Sequence, residues 1–169
     1  MKKQSTFAIE DEESLTQWIE KDNMLLIIDV HLHWTGSCEV LTPCFDQTYV
    51  QHERAEERLV FLTMEGPRFA DQFESMVTFS ESCMMTLDDL IPIDNSSKDT
   101  PTTNVNDIGE RLKMLLCKED KGCAPLFLAV KGKKIVSIIL GANYPSLLKI
   151  VSDQMPPLSG DEIEKSLID

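Results

Sequence analysis

Residues 29–38 contain side chains suited to metal binding and thiol chemistry. Asp29, His31 and His33 alternate along a predicted strand and therefore point to one face of it, with Cys38 just beyond. Carboxylate, imidazole and thiolate groups on one face form a plausible set of metal ligands. Cys38 alone could form a mixed disulfide or act as a redox-sensing thiol. The sequence predicts that this segment presents whatever chemistry the chain has, with both kinds open at this point.

The elements that position this turn are predicted from hydrophobic patterns. The near-continuous apolar run 24–28 is typical of a central strand covered on both faces. We expect a strand to end near Trp34 and a helix to begin near Ser37, with Pro43 kinking that helix. Its apolar face is predicted to include Val40, Leu41, Cys44, Phe45 and Tyr49. Residues 58–62 predict the next strand, which completes a right-handed parallel unit.

Further elements are predicted on both sides of this unit. Residues 5–9 predict an edge strand and residues 14–21 a helix. The apolar runs 126–130 and 135–140 flank a glycine-containing turn and predict an antiparallel hairpin. Residues 144–155 predict a last amphipathic helix. The chain is therefore predicted to be an α/β protein with a central mixed sheet flanked by helices.

The stretch between Met64 and Pro125 is predicted to be mostly irregular. Its polar, turn-rich composition favours loop or disorder, with one helix at 105–117 that packs back on the sheet. An insertion at about 80–106 is expected inside it. Several of its residues are too apolar to remain wholly exposed, so we expect them to contact a partner: Met84, Met85, Leu87, Leu90 and Ile91.

Length and charge limit the possible functions. The 169 residues fit one domain, residues 1–157, followed by an acidic tail, 158–169. A net charge of −13 repels nucleic acid and anionic lipid, so we expect protein partners, with no nucleic acid and no membrane. No signal-peptide core or membrane-spanning run is evident, so we expect a cytoplasmic protein whose five cysteines are thiols.

The combined pattern resembles that of a divergent thioredoxin over residues 5–64 and 123–155. Thioredoxins carry a buried Asp at the end of the central strand, the motif Trp-Cys-Gly-Pro-Cys, a kinking proline and a cis-proline before the hairpin. The residues that match in order and local spacing are Asp29, Trp34, Gly36, Cys38, Pro43 and Pro125. The resemblance implies a thioredoxin fold with a long insertion before the cis-proline.

A narrower resemblance lies in the hairpin and the segment that follows it. Residues 130–135 read Val-Lys-Gly-Lys-Lys-Ile, and residues 141–145 read Gly-Ala-Asn-Tyr-Pro. This ending is similar to that of the thioredoxin-like light chains of axonemal outer-arm dynein and of relatives fused to nucleoside diphosphate kinase domains. The resemblance implies a structural subunit in the axoneme of a cilium.

Two positions depart from the thioredoxin pattern. Thr35 stands where the family has its first cysteine, and Ser37 replaces the proline that tunes the redox poise. The family mechanism needs a thiolate at the first position to attack a disulfide and a second thiol to resolve the mixed disulfide. A threonine hydroxyl cannot perform this exchange. We therefore expect no disulfide reductase activity.

The remaining thiols and the metal set have plainer interpretations. Cys38 without its partner is more often inert packing, and Cys123 could approach it near the groove, although we prefer two free thiols. The spacing of Cys83 and Cys117 does not favour zinc. In the family layout Asp29 is a buried acid beneath the turn and the histidines lead towards solvent. We therefore expect neither metal nor cofactor.

The function predicted from these residues is protein binding. Thioredoxins hold an extended peptide in a groove, which here would be formed by Trp34, Thr35, Ala124 and Pro125. We expect a non-enzymatic subunit of a hetero-complex, a light chain docked on a dynein intermediate or heavy chain. Two alternatives stay open: a monothiol redox protein that uses Cys38, and a cytosolic thioredoxin-like adaptor or chaperone unrelated to cilia.

Overall fold

A six-stranded mixed sheet organises the part of the chain that the structure, a computed structural model, describes: residues 6–90, 108–117 and 124–158. The strand order is β1-β3-β2-β5-β6-β4. Strand β3 pairs in parallel with β1 and β2, β6 pairs in parallel with β4, and β5 is antiparallel to both β2 and β6. The strands are β1 (Thr6–Ala8), β2 (Leu25–His31), β3 (Leu59–Glu65), β4 (Thr78–Phe79), β5 (Leu126–Lys131) and β6 (Lys134–Leu140).

Helices cover both faces of the sheet. They are α1 (Glu12–Ile19), α2 (Thr42–Gln51), α3 (Gly66–Met76), α4 (Glu81–Leu90), α5 (Ile108–Cys117) and α6 (Tyr144–Gln154). The residues of α1, α3, α4 and α5 pack into one apolar core, and those of α2 and α6 pack into a second core on the other face. In the second core the ring of Phe45 stacks on that of Phe61 with centroids 4.0 Å apart. Within the described ranges no helix is long and apolar enough to span a bilayer.

The predicted thioredoxin-fold architecture, a mixed sheet flanked by helices, is confirmed. The strand, helix and strand β2-α2-β3 form the parallel unit, and β5 and β6 form the hairpin. Gly132 and Lys133 both have positive φ, 55° and 62°, which is the conformation of a tight two-residue hairpin turn. The predicted acidic tail from residue 159 onward and residues 91–106 of the predicted insertion lie outside the described residues.

The middle of the chain differs from the prediction. Helix α3, strand β4 and helix α4 occupy residues predicted to be irregular. Cys83 and Leu87 of α4 are 2% and 0% exposed, while Met84 and Leu90 pack against the same core. Leu87 buries its side chain against its own sheet, so the expectation that it contacts a partner is wrong. Met84 and Leu90 are only partly buried, and their contact with a partner stays a prediction. The Met85 side chain lies outside the described ones. Ile91 lies outside the described residues.

Two proline predictions are also wrong. Pro43 does not kink α2, because the helix begins at Thr42 and the proline occupies its first turn, where the missing N–H costs nothing. No peptide bond among the described residues is cis, so the Ala124–Pro125 bond is trans. Trans is the intrinsically favoured form of an X–Pro bond, by about 0.5–1 kcal/mol.

Candidate functional site

The turn that follows β2 is built by its own backbone. The amides of Thr35 and Gly36 both donate to the Leu32 carbonyl at 3.2 Å. Gly36 has φ +66°, in the left-handed region that glycine adopts at little cost. A short 3-10 turn at Glu39–Leu41 then leads into α2. The chain therefore makes a compact turn at the carboxyl end of the central strand, as the sequence predicted.

The Thr35 side chain is used within this turn. Its Oγ1 accepts a hydrogen bond from the Leu32 amide at 3.1 Å and lies 3.1 Å from the Leu32 carbonyl oxygen, to which it can donate. The Gly36 carbonyl is a second acceptor at 3.3 Å. The Thr35 hydroxyl thus stabilises the turn through hydrogen bonds to its backbone.

Asp29 fixes the far side of the turn. It is 4% exposed, on the central strand, and its Oδ2 accepts the backbone N–H of Cys38 at 2.6 Å. A carboxylate that accepts an amide N–H makes a short, charge-assisted hydrogen bond. This acid was predicted to lie beneath the turn, and the structure places it there. Its contact shows what it does: it anchors the segment that enters α2.

The Cys38 side chain is half-buried and packs against the core between the sheet and the helices α2 and α6. Among the cysteines that the structure describes, Cys38, Cys44 and Cys83 are free thiols. Cys123 lies outside the described residues, so the predicted absence of a bridge between Cys38 and Cys123 stays a prediction. Burial raises the pKa of the Cys83 thiol to about 11, which makes that thiol unreactive at neutral pH.

Exposed apolar side chains mark the outer surface of the turn. Trp34 is 69% exposed and Val40 is 76% exposed, and the polar residues Ser37 and Glu39 lie exposed between them. The sequence placed Val40 on the buried face of the helix, and this was wrong because the helix begins only at Thr42. The pair Thr42-Pro43 is a helix-start signal that could have corrected the prediction.

Pro125 lies next to this turn by strand register. Val30 near the end of β2 pairs with Leu126 at the start of β5, so Ala124 and Pro125 come beside the carboxyl end of the central strand. Both are half-buried, and the Pro125 carbonyl accepts the Gly141 amide at 2.7 Å. The topology therefore brings the predicted groove residues to the same end of the sheet, although the proline is trans.

The histidines do not join Asp29 in a metal site. His31 Nδ1 lies 3.2 Å from the Leu32 carbonyl, and His33, with an 88% exposed side chain, lies 3.7 Å from Glu65 Oε2. Across the described ranges no three His, Cys, Asp or Glu side chains are arranged to hold a metal ion. The Asp29 carboxylate is instead committed to the Cys38 amide.

The residues that carry the dynein resemblance have local structural roles. Gly132 forms the hairpin turn, Gly141 adopts φ +90°, and the Asn143 side chain accepts the Ser146 amide at 3.1 Å to cap α6. Pro145 occupies the first turn of that helix. The motif thus defines how the chain leaves β6 and enters α6.

Comparison with known proteins adds little beyond the topology. No family model and no curated protein sequence matches the chain. Thioredoxin NaTrxh from Nicotiana alata is similar in structure, with 14% identity, a TM-score of 0.49 and coverage of 89% of this chain and 93% of that chain. A wild-type thioredoxin h from poplar shows 16% identity, a TM-score of 0.46 and coverage of 89% and 96%. Such weak likenesses carry no argument about activity, and the class of the fold is defined by the sheet order and the flanking helices.

Proposed function

We propose that this chain is a redox-inactive thioredoxin-fold subunit that binds protein partners through the surface around Trp34 and Pro125. We further propose that it serves as a light chain of an axonemal outer-arm dynein complex, docked on an intermediate or heavy chain. The two parts have separate support and separate tests.

The absence of redox activity that we propose is supported mainly by the presence of threonine at position 35 and by the hydrogen bonds of its hydroxyl. Disulfide exchange needs a thiolate at this position, and a hydroxyl forms neither a mixed disulfide nor an internal one. The Thr35 hydroxyl is hydrogen-bonded to the Leu32 backbone, and Cys38 is half-buried with its amide held by Asp29. The position is therefore occupied by a residue that stabilises the turn.

The observation that supports binding is what the turn still exposes. A solvent-exposed tryptophan contributes a large apolar surface at low cost in side-chain entropy and is a frequent anchor at protein interfaces. Trp34 and Val40 offer such surface at the same end of the sheet as Pro125. The net charge of −13 favours partners with basic surfaces.

The dynein assignment is supported by the sequence of residues 130–135 and 141–145 alone. Those residues shape the hairpin and the start of α6.

The redox part is tested by an insulin-reduction assay with dithiothreitol as the electron source. We expect no turnover by the natural chain, and measurable turnover by Thr35→Cys, because the substitution restores a thiol at the start of the segment that Asp29 anchors. The variant Thr35→Cys combined with Cys38→Ser is the matched control and should be inactive. Turnover by the natural chain that Cys38→Ser abolishes would support the monothiol redox protein instead.

The partner part is tested by affinity capture from ciliated cells with mass spectrometry, with and without prior thiol alkylation. We expect stoichiometric dynein chains that are retained after alkylation and reduced by Trp34→Ala. Val50→Ala, at an 86% exposed position on α2, is the control that should retain them. Retention of non-axonemal chains would support the cytosolic adaptor, and partners lost on alkylation would indicate thiol chemistry.

A further inference from the structure

Within the described part of the chain, another strand pairs with only part of the outer edge of β6. Strand β4 consists of two residues, and it pairs with Lys134 and Ile135 of β6. The last backbone hydrogen bond on this side runs from the Ser80 amide to the Ile135 carbonyl at 3.0 Å. Among the described residues no strand pairs with the outer edge of β6 beyond that point.

The hydrogen-bond pattern of the hairpin shows which backbone groups lie on the uncovered edge. The Gly141 amide donates to the Pro125 carbonyl, which makes these two residues a hydrogen-bonded pair. Bonded and non-bonded pairs alternate along an antiparallel ladder. Leu126 with Leu140 and Leu128 with Ile138 are therefore non-bonded pairs, and Phe127 with Ile139 between them is a bonded pair. Leu140 and Ile138 therefore direct their N–H and C=O groups away from β5.

A register irregularity beside Val136 explains the change of edge residues along the strand. Val130 pairs with Ile135 but Ala129 pairs with Ser137, so Val136 is an extra residue on β6. Before this bulge the carbonyl of Ile135 points outward, and after it the groups of Ile138 and Leu140 do so. The bulge thus separates two sets of outward-pointing backbone groups on β6: those that pair with β4, and those of Ile138 and Leu140.

Helix α6 borders this second surface. An open groove of about 410 Å³ is lined by residues 137–140 of β6 and by Lys149, Ile150 and Asp153 of α6, among others. Leu140 is 38% exposed at one end of it. Lys149 and Asp153 are both exposed, and they stand four residues apart, which is about 6 Å along a helix. Alternate residues of a strand that face the same side are separated by about 6.6–6.8 Å.

We propose that the β6 edge at Ile138–Leu140 and the α6 pair Lys149 and Asp153 together bind an extended segment of another protein as an added strand. The segment would carry one acidic and one basic residue two positions apart, so that both face α6 and pair with Lys149 and Asp153. The edge supplies two N–H and two C=O groups for main-chain hydrogen bonds, and the helix pair supplies selectivity. A second copy of this chain is disfavoured as the occupant because its net charge of −13 repels it. This surface does not depend on the Trp34 surface.

The test uses three synthetic heptapeptides of identical composition and the full chain. Two carry the charges two positions apart, in either order: Thr-Val-Glu-Val-Lys-Val-Thr and Thr-Val-Lys-Val-Glu-Val-Thr. The third, Thr-Val-Glu-Lys-Val-Val-Thr, puts the charges on opposite faces of a strand. We expect one of the first two to slow amide hydrogen exchange at Ile138 and Leu140 roughly tenfold or more at saturation, and to bind roughly three- to tenfold more tightly than the third.

Variants of the chain separate the backbone and charge contributions. Exchanging the charges with Lys149→Glu and Asp153→Lys should transfer the preference to the peptide of opposite charge order. An exchange of the charges of Glu20 and Lys21, which follow α1 near the opposite edge of the sheet, is the control and should leave the peptide preference unchanged. Leu140→Pro removes one outward N–H and should weaken binding, whereas Leu140→Ala keeps that N–H.

Three results would overturn the proposal. The first is the absence of protection at Ile138 and Leu140 with all three peptides, a result obtained on the natural chain and independent of how any variant folds. The second is equal binding of the three peptides, which would remove the charge pair from recognition. The third is a concentration-dependent dimer in sedimentation equilibrium that protects these amides without peptide, which would make a second copy the occupant.

Discussion

The turn after β2 and the middle segment from α3 to α5 treat their apolar residues in opposite ways. At the turn, Trp34 and Val40 are 69% and 76% exposed. In the middle segment, Phe73 of α3 and Leu87 of α4 are fully buried. The region with the expected chemistry contributes little to the core, whereas the region expected to be a loop forms much of one face. Substitutions of the exposed apolar residues at the turn should therefore have little effect on stability, whereas substitutions of the buried residues of α3 and α4 should lower it.

The largest effect that sharpens this contrast is expected at Leu87. Leu87→Ala leaves a cavity in the core beneath α4 and should lower the free energy of unfolding by about 2–5 kcal/mol. Val40→Ala, at the turn, should change it by less than about 0.5 kcal/mol. Urea denaturation followed by circular dichroism measures both. Equal effects of the two substitutions would mean that α4 is not part of the core.

A glycine-to-alanine pair makes the same comparison with a smaller effect. Gly66 begins α3, and a Cβ there would collide with the Leu116 carbonyl oxygen and lie 2.8 Å from Val30 Cγ1. Gly66→Ala should cost roughly 2–3 kcal/mol, because backbone must move. Gly36 has open space around a Cβ but a left-handed φ, so Gly36→Ala should cost roughly 1 kcal/mol. Thermal unfolding of both variants measures the difference, and a larger loss for Gly36→Ala would contradict this account.

The sequence predicted the strands of the sheet better than the helices of the middle segment. The runs in β2, β3 and β5 are nearly continuously apolar because these strands are buried on both faces. Helix α3 carried a usable signal, since Phe69 and Phe73 are four residues apart and Pro67 follows Gly66 at its start. The prediction of an irregular segment was based on the turn-rich composition of residues further along the chain, which are not part of α3.

The site was predictable in its position but not in its contacts. Family-like spacing placed Asp29, Trp34 and Cys38 around one turn, and the structure confirms this arrangement. Residue types alone do not predict the hydrogen bonds between the Thr35 side chain and the Leu32 backbone. They also do not predict the trans peptide bond before Pro125. The part of the β6 edge that no described strand pairs with results from a one-residue bulge in β6 and from the two-residue length of β4. Hydrophobic periodicity predicts neither feature.

The smallest expected effect concerns the buried thiol of Cys83 in α4, which should make the free energy of unfolding depend on pH. Burial raises the pKa of Cys83 to about 11 from its ordinary value of 9.0. The unfolded chain therefore loses this proton at lower pH than the folded chain does, and ionisation of the unfolded thiol favours unfolding. The stability contributed by the protonated thiol is fully present below pH 9 and is lost as pH rises from 9 towards 11, with a slope of at most about 1.4 kcal/mol per pH unit.

Urea denaturation at pH 8 and pH 10 should show that the natural chain loses more stability over this interval than Cys83→Ala does, because the variant lacks the buried thiol. An equal loss in the natural chain and in Cys83→Ala would mean that α4 opens enough at pH 10 to hydrate this thiol. That result would mean that α4 is loosely packed, and that α4 and the turn differ less in the burial of their side chains than the structure indicates.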